Sequence, residues 1–371
     1  MAAKLDSGQT IARLTPLAEV LAKLELGVRP VAPRAVDVAA AAGRTLAGDV
    51  LVPARPSAAI ALVDGWAVSA EETQGAGGYA PASLAHMPQR IESGQAMPPG
   101  TDSVAPFDAV QLSGGRAEAL ASVNAGEGVL AAGGDCDAPV PLRRAGERLR
   151  LTDLAVFAAA GLARVTVREP RLHILPVRGS AMVHAAARLV AGDIERRGGI
   201  ARLETGRDLG LAFASENADG IIVIGGTGSG RNDTSVQTLA REGELVVHGI
   251  ALTPGETAAF GFVGPRPALL LPGRLDAALA VWLTVGRRLL ARLCGGDDSE
   301  PAAIATLARK VASPVGLAEF VPVRRDGDAA EPLAGKYLPL SALSRADGWL
   351  LVPPDSEGYP EGAEVAIRPW P

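Results

Sequence analysis

The apolar run ADGIIVI, residues 218–224, passes directly into the turn GGTGSGRND, residues 225–233, and this junction constrains the fold more than any other stretch. A continuous apolar run of strand length fits a strand buried on both faces. A glycine-rich turn at its end lets backbone N–H groups approach an anion with no Cβ in the way. The neighbouring segments repeat the alternation. RLHILPV, DGIIVIGG, ELVVHGIAL and PALLLPG read as strands, and AMVHAAARLVAGDIERRG, DLGLAFASENA, TSVQTLAREG and DAALAVWLTVGRRLLARL as helices. Strands separated by helices in this way predict an α/β domain with a buried, mainly parallel sheet over 171–298.

The remainder of the chain has a different texture. Leu14, Leu17, Val20, Leu21 and Leu24 recur at helical spacing, which predicts a helix after Thr15-Pro16. From 47 to 145, short β-like runs such as DVLVPA, DGWAVSA and GEGVLAAGG alternate with Gly, Pro, Ser and Asp clusters, as in a small β module. LRLTDLAVFAAAGLARVTV reads as a helix capped by Thr152 and stopped at Gly161, followed by a strand. CGGDDSEPA, 294–302, has the composition of a linker, and EFVPVRR, GWLLVP and AEVAIRPW form a β-rich tail.

Composition excludes several function classes. A net charge of −5 with no basic block argues against nucleic-acid binding, which needs a basic face. The longest apolar stretch, LAVFAAAGLARVTV, is short and carries Arg164, so no membrane span is expected. The first residues lack a secretory pattern, and Cys136 and Cys294 stand alone, which predicts a soluble, cytoplasmic chain without a disulfide framework. Four scattered histidines show no metal-ligand spacing, and Cys136 and Trp66 are read as packing residues.

The glycine turn fits neither common nucleotide motif. Gly226, Gly228 and Gly230 miss the GxGxxG spacing. Gly225 and Gly230 have P-loop separation, but Arg231 and Asn232 stand where Lys and Ser/Thr belong. Pro254-Gly255 and Leu271-Pro272-Gly273 add two further turns, and strand ends gathered in this way make a crevice at the carboxyl edge of an α/β sheet.

These turns, in this order, resemble the molybdenum-insertion family of molybdenum-cofactor biosynthesis, MoeA in bacteria and the gephyrin E-domain in animals. VDGWAVSA (63–70), SGQAMPPGTDSV (93–104), GGDCDAPVPLRRAGERLRLTDLAVFAAAGLARVTV (133–167), IGGTGSGRND (224–233), ALTPGETAAFG (251–261), LLLPGRLDAA (269–278) and SRADGWLLVPPDSEGYPEGAEV (344–365) are similar to the family's motifs in register. The resemblance implies an elongated N-terminal domain (1–46 and 146–170), an inserted β module (47–145), the molybdopterin-binding α/β domain (171–298) and a C-terminal β-barrel (299–371). It also implies a homodimer whose cleft lies between the α/β domain of one copy and the N- and C-terminal modules of the other. The implied reaction takes adenylylated molybdopterin and molybdate with Mg²⁺.

Residue by residue, the resemblance places Asp64, Asp135 and Asp233 at acidic site positions, with Asp64 and Asp233 as Mg²⁺ ligands. Ser93, Gly225, Gly226, Thr227, Gly228, Ser229, Gly230, Arg231, Pro254, Gly255, Pro272, Gly273 and Arg274 would line the ligand. Asp208 aligns with a loop acid only across a gap. The chain departs from the family at Ala181, where a glutamate is expected, and at Thr253 and Glu256, where lysines are expected. Removing two cations and adding an anion beside an anionic ligand is unfavourable, since one charge pair at about 4 Å is worth roughly 4 kcal/mol at an effective dielectric near 20. Arg231 and Arg274 are the candidates to restore that charge. Three functions follow: a working molybdenum insertase; a weakened relative that carries molybdopterin or finished cofactor for a dedicated molybdoenzyme; or a scaffold without a ligand, for which no sequence feature specifies a partner helix.

Overall fold

The computed structural model describes residues 9–177, 179–206, 208–214, 217–296 and 302–371. Two compact units emerge, residues 1–48 with 145–371, and residues 49–144.

The larger unit is built on a six-stranded sheet. Its strand order is Ile200–Leu203, Arg171–Pro176, Gly220–Ile224, Arg266–Leu271, Ala259–Val263, Glu244–His248. The first four run parallel, and the last two extend the sheet antiparallel. In the Gly220–Ile224 strand all five residues are buried, and its side chains divide between two cores. Ile222 and Ile224 face a core shared with Leu172, Leu269 and the helices Leu17–Gly27 and Ala181–Arg196. Ile221 and Val223 face a second core with Leu239, Phe213 and Leu270. A strand sandwiched in this way must be apolar at every position, which is why ADGIIVI lacks alternation. Each of those fully buried branched side chains contributes about 1.5–3 kcal/mol.

A closed five-stranded barrel lies in the C-terminal region. Ala318–Asp326, Ala329–Pro332, Ala303–Leu307, Glu364–Pro369 and Gly348–Val352 pair in turn, and the last returns to the first. Its sheet is extended by Ile250–Thr253, which runs parallel to Ala318–Asp326, and then by Thr15–Pro16. The apolar run ELVVHGIAL, expected as one strand, is therefore two strands in two sheets. Gly249 separates them at φ +92°, and an added Cβ there would sit 2.5 Å from Ile11.

Other local expectations need adjustment. The helix after Arg150 begins at Leu151, so Thr152 lies inside it, and the Arg150 N–H donates to the Asp153 carboxylate at 2.8 Å. The strands Ile200–Leu203 and Ala259–Val263 were not anticipated, and among the described residues of DLGLAFASENA the helix is the short Leu209–Phe213. The segment read as a linker lies mostly outside the described residues.

The smaller unit consists of three small sheets. Gln89–Ile91, Gly65–Val68 and Ser103–Ala105 form one, Ala82–Ser83, Arg116–Ala119 and Val110–Ser113 a second, and Val129–Leu130 with Ile60–Ala61 a third. Trp66 packs edge-on against Phe107 with ring centroids 5.8 Å apart, the packing role expected of it. Cys136 is half-buried rather than buried.

Candidate functional site

Three turns meet where the central parallel strands end. The topology places them there: Arg171–Pro176 has its next strand in sequence on one side and Gly220–Ile224 on the other, so the winding direction reverses at this strand. The Gly225 N–H donates to the Leu271 carbonyl at 2.9 Å, which joins the glycine turn to the Leu-Pro-Gly turn. The hydroxyls of Thr227 and Thr257 lie 2.9 Å apart and join it to the Thr-Pro-Gly-Glu turn.

Small residues are required at this junction. Gly226 holds φ +70°, and a Cβ on it would fall 2.4 Å from Ser235 Oγ, which donates to the Gly225 carbonyl. A Cβ on Gly228 would meet Asp233 Oδ2 at 2.7 Å, so Asp233 is folded against the turn it closes. Gly255 approaches the helix Leu275–Val281, where a Cβ would lie 2.6 Å from Val281. The Thr253-Pro254 peptide is cis.

The charges around the turns are largely committed to one another. Arg274 Nε donates to Asp276 Oδ1 at 3.1 Å, and its guanidinium lies 5.0 Å over the Tyr337 ring. The hydrogen bond to Asp276 raises the Arg274 pKa, burial opposes it, and Asp276 and Glu256 add favourable charge. Asp276 is buried and also accepts from the Leu338 N–H at 3.2 Å. Glu256 accepts from the Gly255 N–H at 3.0 Å. Thr253 is buried and stands in register with Glu319, which is 1% exposed. Glu319 accepts from the Lys336 N–H at 3.0 Å through one oxygen, while the other has no partner. Arg231 and Asn232 are exposed on the glycine turn, and Ala181 is the exposed first residue of its helix. His248, beside the turn, has its pKa lowered by burial despite a hydrogen bond to the Thr227 backbone.

The remaining acidic candidates are placed as follows. Asp64 accepts from the Ser93 N–H at 2.8 Å, and the Ser93 hydroxyl donates to the Leu62 carbonyl at 3.0 Å, so these two come together in the smaller unit. Asp135 is exposed in the same unit, and its N–H donates to the Arg55 carbonyl at 2.9 Å. Asp208 caps a short helix by accepting from the Leu211 N–H at 3.1 Å. Among the described residues no group of three or more His, Cys, Asp or Glu side chains gathers as a metal site.

Two features were not anticipated. A cavity of about 680 Å³ lies beyond the carboxyl ends of Arg171–Pro176 and Ile200–Leu203, lined by His184, Glu204, Asp208, Thr234 and Arg241 among others. It holds both donors and acceptors, as a polar heterocycle requires. The second is Gln9, whose buried side chain reaches into the glycine turn.

Three family models tile the chain: the MoeA N-terminal region (domains I and II) over 15–161, a probable molybdopterin-binding domain over 204–292, and the MoeA C-terminal region (domain IV) over 305–370. The chain belongs to the MoeA family. The glycine turn, the Thr-Pro-Gly-Glu turn and the Leu-Pro-Gly turn all fall inside the molybdopterin-binding match. A putative molybdopterin biosynthesis protein of Methanocaldococcus jannaschii is 25% identical, over 90% of this chain and 91% of its own. Molybdopterin molybdenumtransferase 1 of Mycobacterium tuberculosis is 26% identical, over 75% and 73%. A crystal structure of the Pyrococcus horikoshii MoeA protein superposes with a TM-score of 0.79 at 25% identity, covering 97% of this chain and all of that one. The MoeA architecture, with its C-terminal barrel, is thus present here, and molybdenum-cofactor biosynthesis is the process to which the family belongs.

Proposed function

We propose that this chain binds molybdopterin across the three turns at the carboxyl edge of the α/β sheet. The observation that carries this reading is the convergence of the glycine, Thr-Pro-Gly-Glu and Leu-Pro-Gly turns, with glycines where a Cβ would collide. The glycine turn receives the anionic phosphate end, and the neighbouring cavity with His184, Glu204 and Arg241 suits a pterin ring. In the full reaction water cleaves the phosphoanhydride of adenylylated molybdopterin, AMP leaves, and molybdate, the second substrate, is inserted into the dithiolene. The reading includes a cytoplasmic homodimer in which Asp64, Ser93 and Asp135 of one copy serve the turns of the other.

Mg²⁺ belongs to this reading only as a partner of substrate phosphates. The described residues supply no three-ligand cage, so Asp64 and Asp233 would each offer one carboxylate at most to an ion brought in by the substrate. What the chain's own residues do is bind and orient: the turns hold the phosphate, and Asp233 is fixed against Gly228 and Gly230.

One observation favours the carrier over the insertase. Arg274 is committed to Asp276, and Glu256 adds a negative charge at the turn where relatives are expected to carry lysine. Among the described residues the Thr-Pro-Gly-Glu and Leu-Pro-Gly turns thus offer no uncommitted cation, leaving the exposed Arg231 of the glycine turn, and a leaving adenylate is stabilised less well at those two turns. Incubating the protein with adenylylated molybdopterin, Mg²⁺ and molybdate, and measuring AMP release and cofactor formation, separates the two. Binding without AMP release leaves the carrier; absence of binding removes both.

A further inference from the structure

We propose that Gln9 is a positioning residue for the glycine turn: it fixes the peptide planes whose N–H groups receive the ligand's anionic end. The inference rests on the turn being the phosphate face, as proposed above.

The Gln9 carboxamide is 6% exposed and makes four hydrogen bonds, all to the turn and the helix after it. Its Nε2 donates to the carbonyls of Gly226 at 2.7 Å and Gly228 at 2.9 Å. Its Oε1 accepts from the N–H groups of Val236 at 3.0 Å and Gln237 at 3.1 Å. In a trans peptide the C=O and the following N–H share a plane and point in opposite directions. The bonds after Gly226 and Gly228 are trans, the cis bonds being elsewhere among the described residues. A Gly226 carbonyl held toward Gln9 therefore turns the Thr227 N–H away from it, and the Gly228 carbonyl does the same for Ser229. Among the described residues neither N–H donates to a backbone carbonyl. Both N–H groups thus point away from Gln9, one on the exposed Ser229 and one on Thr227, which is 2% exposed, and backbone N–H groups paired in this way in a turn bind oxyanions.

The acceptor end of Gln9 sharpens the assignment. Helix Ser235–Glu242 has N–H groups at its second and third positions that a capping side chain normally takes, and Thr234 supplies no such cap. Gln9 supplies it instead. The helix donors are thus occupied, and the anion is directed to the Thr227 and Ser229 face.

Two substitutions separate the roles in the full-length chain. Gln9→Met loses both halves of the carboxamide without adding charge, whereas Gln9→Glu keeps an acceptor for the helix and loses both donors to the turn. Backbone amide resonances of Thr227 and Ser229 are followed without ligand, then with molybdopterin and separately with inorganic phosphate. The expected result is that both variants shift these two resonances, that both bind molybdopterin at least tenfold more weakly, and that Gln9→Glu keeps the Val236 and Gln237 amides protected. Unchanged Thr227 and Ser229 resonances in Gln9→Met would overturn the proposal. So would tighter molybdopterin binding by that variant, which would make Gln9 an obstruction. Wild-type amides that respond to phosphate while molybdopterin fails to bind would sink the proposed function and leave the role of Gln9 standing. Wild-type amides that respond to neither probe would remove the anion face itself.

Discussion

Gly226 and Arg274 show how single residues set the character of the site. A Cβ at Gly226 meets Ser235 Oγ at 2.4 Å on a backbone already at φ +70°, so the turn accepts no side chain there. Gly226→Ala is expected to cost on the order of 1–3 kcal/mol, measured by chemical unfolding, and to lower molybdopterin affinity. Arg274 presents the opposite case, a charge present in the sequence but already engaged. Its pairing with the buried Asp276 gives Arg274→Ala a stability cost on the order of 1–2 kcal/mol, since the guanidinium is half exposed and the carboxylate keeps the Leu338 N–H. Molybdopterin affinity is expected to change less than threefold in a binding titration, and a tenfold loss would mean that Arg274 does serve the ligand. The glycines of the site were legible because their spacing follows a buried strand within ten residues. Gln9 was not, because its partners lie more than two hundred residues away and an isolated glutamine near a chain start has no local signature. Nor was the Arg274–Asp276 pair, because residues two apart face each other only where a turn bends the chain.

Among the elements, the long helical segment behind the Leu-Pro-Gly turn holds the sheet in place. It runs through Leu275–Val281, a π-helical stretch Trp282–Gly286, and Arg287–Cys294. Trp282 Nε1 donates to Asp193 at 2.8 Å, and Arg287 grips the same carboxylate through two bonds of 2.9 and 3.0 Å, with both ionic side chains almost fully buried. This ties the segment to helix Ala181–Arg196. Burial alone would push the Asp193 pKa up; the Arg287 hydrogen bond and charge, helped by Trp282 and Arg197, bring it below the usual carboxylate range. A depressed carboxylate contributes stability that is complete above its unfolded pKa, about 3.9, and is lost as pH falls through the folded value. Acid unfolding followed by circular dichroism is therefore expected to steepen below about pH 4. Arg287→Met is expected to cost about 3–5 kcal/mol and to move the acid transition to higher pH, because it leaves Asp193 buried without its main cation. The helix itself was legible from its apolar pattern. Its π-helical stretch and the strand break at Gly249 were not, because both interrupt patterns that stay apolar throughout.

For the whole molecule, the two units carry separate cores. The smaller one has clusters around Val68, Ala105 and Val110 and around Ala61 and Val104, far smaller than the core that contains the sheet. Calorimetry is expected to resolve two transitions, the residues 49–144 unit melting first, and a single sharp transition would show the units to be thermodynamically coupled. The strand split at Gly249 bears on how the larger unit can be cut or exchanged. The barrel's sheet does not stop at its own five strands: Ile250–Thr253 and Thr15–Pro16 continue it, and both belong to stretches that lie far earlier in the chain. A chimera that swaps only the last seventy residues with those of another MoeA protein would thus inherit a foreign ladder partner for the very strand that ends in the Thr-Pro-Gly-Glu turn. The natural unit of exchange is the barrel together with that strand, and recombination at the apparent linker would disturb the ligand site from behind.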